Sequence, residues 1–121
     1  MGTKHVIVLP YDQHWEQEFL VIKDELQDTI GPLALAIEHV GSTSVQGLSA
    51  KPIIDIDVII ENSSMLGSVI ASLARIGYRH EGDLGALGGA RSVRPFHQYP
   101  GCKVIVIALI DAAEAFLHLY R

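Results

Sequence analysis

Residues 37–60, IEHVGSTSVQGLSAKPIIDIDVII, decide the fold. The last eight, Ile53 to Ile60, are apolar except for Asp55 and Asp57, and this pattern predicts a strand. Strand side chains alternate between faces, so the two carboxylates share one face, ~7 Å apart along the chain. Ile54, Ile56, Val58 and Ile60 make up the other. Two carboxylates on one face of an apolar strand are costly unless something offsets their charge. A hard divalent cation with oxygen ligands does so, which makes Asp55 and Asp57 candidate Mg²⁺ ligands. The alternative is that they merely pair with Lys51, Arg91 or Arg94.

Upstream lies a Gly-Ser turn, Gly41-Ser42. Glycine lets a backbone approach a ligand closely, while turn N–H groups and a serine hydroxyl suit a phosphate. Lys51, just before the strand, can neutralise phosphate charge as a compact cation. Mg²⁺ usually shares its site with substrate phosphates. Together these parts describe a nucleoside triphosphate site. Gly41, Ser42 and Lys51 would bind the nucleotide, and Asp55 and Asp57 would hold metal and position an incoming nucleophile.

Working outward, Ala34–Val40 predicts a strand entering the turn, with Glu38 and His39 on opposite faces. The small residues Thr43–Ala50 suit one helical turn, capped by Ser42 or Thr43. For His39, a local hydrogen bond and a substrate contact are equally open. Further upstream, Trp15, Phe19, Ile22, Leu26 and Ile30 mark one apolar stripe on a helix of about 18 residues. Asp12 would cap that helix and Gly31-Pro32 would stop it. His14 and Glu18 fall off the stripe and are expected to face solvent. Lys4–Leu9 predicts a short strand ended by Pro10.

Downstream, Ser63 or Ser64 is expected to cap a helix carrying Leu66, Val69, Ile70, Leu73 and Ile76, closed by Gly77. A strand begins near Tyr78. The glycines and prolines between Gly82 and Gly101 predict a long loop containing Arg91 and Arg94. Val104–Ile110 predicts a buried strand, and Asp111 the cap of a last helix over 112–120.

The chain of 121 residues suits a single domain over 1–121, with 49% apolar and 19% charged residues. A net charge of -5 argues against a broad nucleic-acid surface. The one cysteine, Cys102, forms no internal disulfide and fits a reducing compartment. With no signal-peptide pattern in MGTKHVIVLP and no apolar run long enough for a bilayer, the expected setting is cytoplasmic, without a membrane partner.

The string EHVGSTSV-x-GLSAKPIIDI resembles the GrpB family, whose members share the polymerase-β-like fold of the nucleotidyltransferase superfamily. Tyr11, Asp12 and Trp15 match an early Tyr-Asp-x-x-Trp of that family. Gly77-Tyr78 and Gly82-Asp83-Leu84-Gly85 match later elements, so the resemblance spans roughly residues 8–90. It implies an α+β fold, a mixed sheet flanked by helices. It also implies a Mg²⁺-dependent transfer of a nucleotidyl group from a nucleoside triphosphate to an acceptor it does not identify. Gly41 and Ser42 would contact phosphate, and Asp55 and Asp57 would bind metal. Residues 91–121 follow the family pattern only at His118-Leu119-Tyr120, so the fold is expected to be incomplete toward the C-terminus, with an exposed sheet edge that could form a homodimer. The superfamily's third carboxylate would be Asp111, Glu81 or Asp83. The family domain also occurs fused to dephospho-coenzyme A kinase, which suits the alternative of a catalytically inactive nucleotide-binding or protein-interaction module.

Overall fold

A computed structural model describes residues 8–83, 89–95 and 104–113. Its centre is β2, Ile53–Ile60, with the bounds that its alternating pattern predicts. Ile54, Ile56, Val58 and Ile60 are sealed from solvent, whereas Asp55 and Asp57 are half-buried on the opposite face. On one side β2 pairs with antiparallel β1, Ala34–Val40, and on the other with parallel β5, Val104–Asp111. Parallel neighbours need a crossover. Here it runs through helix α2, Leu66–Arg75, and the strands β3, Arg79–Asp83, and β4, Ala90–Pro95. The five strands lie in the order β1-β2-β5-β4-β3, an α+β fold with a mixed sheet.

Helix α1, His14–Ile30, and α2 supply the second layer. Trp15, Phe19, Ile22, Leu26 and Ile30 pack in one core with Val69 and Leu73 of α2, Ile56 of β2 and Ile107 of β5. Each such side chain stabilises the fold by about 1.5–3 kcal/mol. Asp12 opens α1 by accepting from the His14 N–H at 2.9 Å, and Gly31, at φ 49°, ends it. Among the described residues no helix is long and apolar enough to cross a membrane.

Four expectations need correction. Glu18 is fully buried, because it lies three residues after Trp15 and four before Ile22 and so belongs to the apolar stripe's own side of the helix. The helical stretch before α2 is capped by Asn62, whose side chain accepts from the Ser64 N–H at 3.0 Å, rather than by Ser63 or Ser64. Residues 90–95 are a strand inside the expected loop, held between β5 and β3. Arg94 is therefore engaged by the helix layer rather than paired with Asp55 or Asp57. It donates to the Ile76 carbonyl at 2.7 Å and to Glu25 at 2.9 Å, and its guanidinium lies 4.5 Å from the Tyr78 ring centre.

Of the expected strand at 4–9, residues 4–7 lie outside the described residues, and Leu9 makes a two-bond bridge with Ala50. Asp111 accepts from the Ala113 N–H at 2.8 Å, as a cap would. The rest of the expected last helix lies outside the described residues, as do Cys102 and His118.

Candidate functional site

The helices cover one face of the sheet. The other face carries Glu38, Asp55 and Asp57. In antiparallel pairing, opposed residues share a face, and Val40 stands opposite Asp55 while Glu38 stands opposite Asp57. The chain leaves β1 after Val40 and turns at Gly41, where φ 74° and ψ -173° fall in a region open essentially to glycine alone. A Cβ on Gly41 would lie 2.6 Å from Asp55 Oδ2. The turn backbone is thus laid directly against the first carboxylate. Ser42–Ser44 form a single 3₁₀ turn, with the Ser44 N–H and hydroxyl both donating to the Gly41 carbonyl.

Thr43 fixes this turn from below. It is buried and donates its hydroxyl to the Ile53 carbonyl at 2.9 Å. Its oxygen therefore accepts from His39 Nε2, also at 2.9 Å. Phe19 stacks on the His39 ring with centroids 4.9 Å apart. Burial holds the His39 pKa below its usual range, against a small opposing effect of Glu16. His39 is thus a local hydrogen-bonding residue that ties helix α1 to the turn.

Ser42, Lys51 and Asp55 line one cleft of about 400 Å³, together with Thr43, Ser49 and Ile53. The structure thus gathers Ser42, Lys51 and Asp55, with Gly41 pressed against Asp55. Asp57 lies one step further along the same face, beyond that cleft's lining. Burial raises the pKa of both carboxylates; Arg91 partly offsets the rise for Asp55, and Asp55 and Glu38 add to it for Asp57. Among the described residues neither aspartate has an ion pair or hydrogen bond, so simple pairing with Lys51, Arg91 or Arg94 does not account for them. Oxygen donors whose charge is disfavoured where they stand fit a hard cation, and Asp55 and Asp57 would hold it.

The expected third carboxylates fall elsewhere. Asp111 aligns with Ile60 and so belongs to the helix-covered face. Glu81 lies on β3, three strand positions from β2, and bonds Arg79 at 2.6 Å. Asp83 is on the same distant strand. The acid nearest the pair in the ladder is Glu38, which the alternation of 34–40 places on a definite face without showing which strand it meets.

The mixed sheet, with its Gly-Ser turn seated on the first of two strand carboxylates, is similar in fold to the polymerase-like nucleotidyltransferases. The chain resembles the Cid1 poly(U) polymerase, with a TM-score of 0.56 and 13% identity over 93% of this chain and 35% of that one. Cid1 in complex with the UTP analogue UMPNPP is similar as well, with a TM-score of 0.52 and 12% identity over 84% and 32%. The sequence model of the GrpB protein matches residues 5–116, and the chain belongs to the GrpB family. That match extends past residue 90, where the motif resemblance ends. The crystal structure of GrpB from Enterococcus faecalis superposes with a TM-score of 0.71 and 31% identity, over 92% of this chain and 66% of that one. A UPF0157 protein of Halalkalibacterium halodurans is 40% identical over 73 residues, 60% of this chain. The match spans 37% of that relative's own length.

Proposed function

We propose that this chain binds a nucleoside triphosphate with Mg²⁺ and transfers its nucleotidyl group to an acceptor. The observation that carries this is the close packing of the Gly41 backbone on Asp55, which lines one cleft with Ser42 and Lys51. The first N–H groups of the Ser42–Ser44 turn lack partners within it and suit phosphate oxygens. Lys51 adds a cation and the Ser42 hydroxyl a further donor. Asp55 and Asp57 would hold Mg²⁺, which when bound offsets negative charge on the phosphoryl oxygens. The Thr43–His39 tether keeps the turn in place so that little ordering is needed on binding. The likeness of the fold to a polymerase that takes a UTP analogue supports a nucleotide as the ligand.

The test is a titration of ATP, GTP, CTP and UTP, each with and without Mg²⁺, while following the melting temperature. At least one nucleotide should raise it in the presence of Mg²⁺. No shift with any of them overturns the reading. A second reading, nucleotide binding without turnover, is favoured by one observation: among the described residues no three His, Cys, Asp or Glu side chains gather to enclose a metal. Pyrophosphate release over a panel of acceptors separates the two.

A further inference from the structure

Ala108 of β5 is in register with Asp57 on one side and with Arg91 of β4 on the other. Glu38, Asp57, Ala108 and Arg91 therefore form one row across the face that the helices leave open. With strands about 4.8 Å apart, the Arg91 backbone lies roughly 10 Å from that of Asp57. Among the described residues only the methyl group of Ala108 stands between them in this row, so the sheet is low at this point. Arg91 is exposed and, among the described residues, has no ion pair, yet its charge reaches Asp55. The cleft of Ser42 and Lys51 opens beyond Asp55, at the end of the sheet where β1 ends and β2 begins, while Arg91 stands two strands across from Asp57.

In-line displacement places nucleophile and leaving group on opposite sides of the phosphorus. With the leaving pyrophosphate against Ser42 and Lys51, an in-line nucleophile stands away from that cleft, and the low surface over Ala108 beside Arg91 leaves room for it. On the β1 side Glu38 would repel an anion, whereas Arg91 is the cation of the row. We propose, on the basis of the triphosphate reading, that Arg91 selects the acceptor, a small hydroxyl compound carrying a phosphate or carboxylate group. The guanidinium fork grips that anion and leaves the hydroxyl facing the α-phosphate. The acceptor oxygen forms the new bond to the α-phosphorus, whose bond to the α,β-bridging oxygen breaks. Pyrophosphate leaves with the electron pair, and the hydroxyl proton is released to solvent.

The test measures binding of inorganic phosphate and of acetate by calorimetry, with and without saturating Mg²⁺ and α,β-methylene-ATP. The proteins compared are the wild type, Arg91→Ala, Arg91→Lys, Ala108→Leu and Lys51→Ala. In the nucleotide-loaded wild type at least one anion should bind, and which one does distinguishes a phosphorylated from a carboxylated acceptor. Arg91→Ala should weaken that binding at least tenfold, with partial recovery in Arg91→Lys and a comparable loss in Ala108→Leu. Arg91→Ala should change the nucleotide affinity less than twofold, whereas Lys51→Ala should lower it at least tenfold. Equal loss of nucleotide affinity in Arg91→Ala and Lys51→Ala would overturn the proposal by making Arg91 a triphosphate ligand. So would anion binding indifferent to Arg91. If the analogue binds no variant, the triphosphate reading fails, while Arg91-dependent anion binding to the free protein would still mark the anion site.

Discussion

Gly41 and Asp55 are packed so closely that a single methyl group on the glycine would stand 2.6 Å from a carboxylate oxygen. The backbone there also has φ 74° and ψ -173°, a conformation that costs any other residue of order 1–3 kcal/mol. Gly41→Ala therefore meets strain and overlap together, and either the turn or Asp55 must move. Urea denaturation should show a loss of about 1–3 kcal/mol. The Mg²⁺-dependent nucleotide shift in melting temperature should vanish in the same variant under conditions where it remains folded.

Asp57 is held above its ordinary value of 3.8 chiefly by burial and then by Asp55 and Glu38. A carboxylate whose folded pKa is raised costs stability when charged, so the cost is full at neutral pH and gone below the unfolded value. Asp57→Asn should melt above the wild type at pH 7, with the gap closing as pH falls through the raised pKa toward 3.8. The same variant should bind Mg²⁺ and nucleotide more weakly. Melting curves from pH 7 to 4 check the first point, and a wild type that melts higher at pH 7 would refute it.

Thr43 is both donor to Ile53 and acceptor from His39, so Thr43→Val leaves a half-buried carbonyl and a ring N–H without these partners. The cost should be about 1–3 kcal/mol in urea, while Thr43→Ser should lose less. His39 has the opposite pH sense to Asp57. Its lowered pKa means that the unfolded chain takes up a proton near pH 6.5 while the folded chain does not. Stability should therefore fall as pH drops below 6.5, and His39→Gln should flatten that slope.

The parts of this fold that were legible in the sequence are those whose side-chain period is strict. Ile53–Ile60 alternates without a break, and the α1 stripe recurs at helical spacing, so both elements form where the pattern puts them. β4 is different, because ARSVRP has one β-branched residue and a proline, and only pairing on both edges makes it a strand. Glu18 is buried although it is not one of the stripe's apolar residues, because its position three after Trp15 and four before Ile22 outweighs its charge. Within the site, the Gly-Ser turn and the aspartates are local features. The opposition of Glu38 to Asp57 and the alignment of Arg91 through Ala108 depend on strand order, which local pattern does not encode.

Arg91 and Arg94 are three residues apart on β4 and so face opposite sides of the sheet, which makes them a controlled pair. Arg94 clamps the helix layer to β4 through the Ile76 carbonyl, Glu25 and the Tyr78 ring, and its Cδ would stand 3.1 Å from a Cβ on Gly77. Arg94→Ala should cost about 2 kcal/mol, since a half-buried carbonyl loses a charged donor. Arg94→Lys should recover less than half of that, because one ammonium cannot serve the carbonyl, the carboxylate and the ring together. Arg91→Ala removes an exposed side chain and should stay within about 0.5 kcal/mol of the wild type. Nucleotide affinity should be unchanged in both alanine variants. Urea denaturation of the two side by side reads the contrast, and equal losses would show that β4 does not divide its arginines between structure and site.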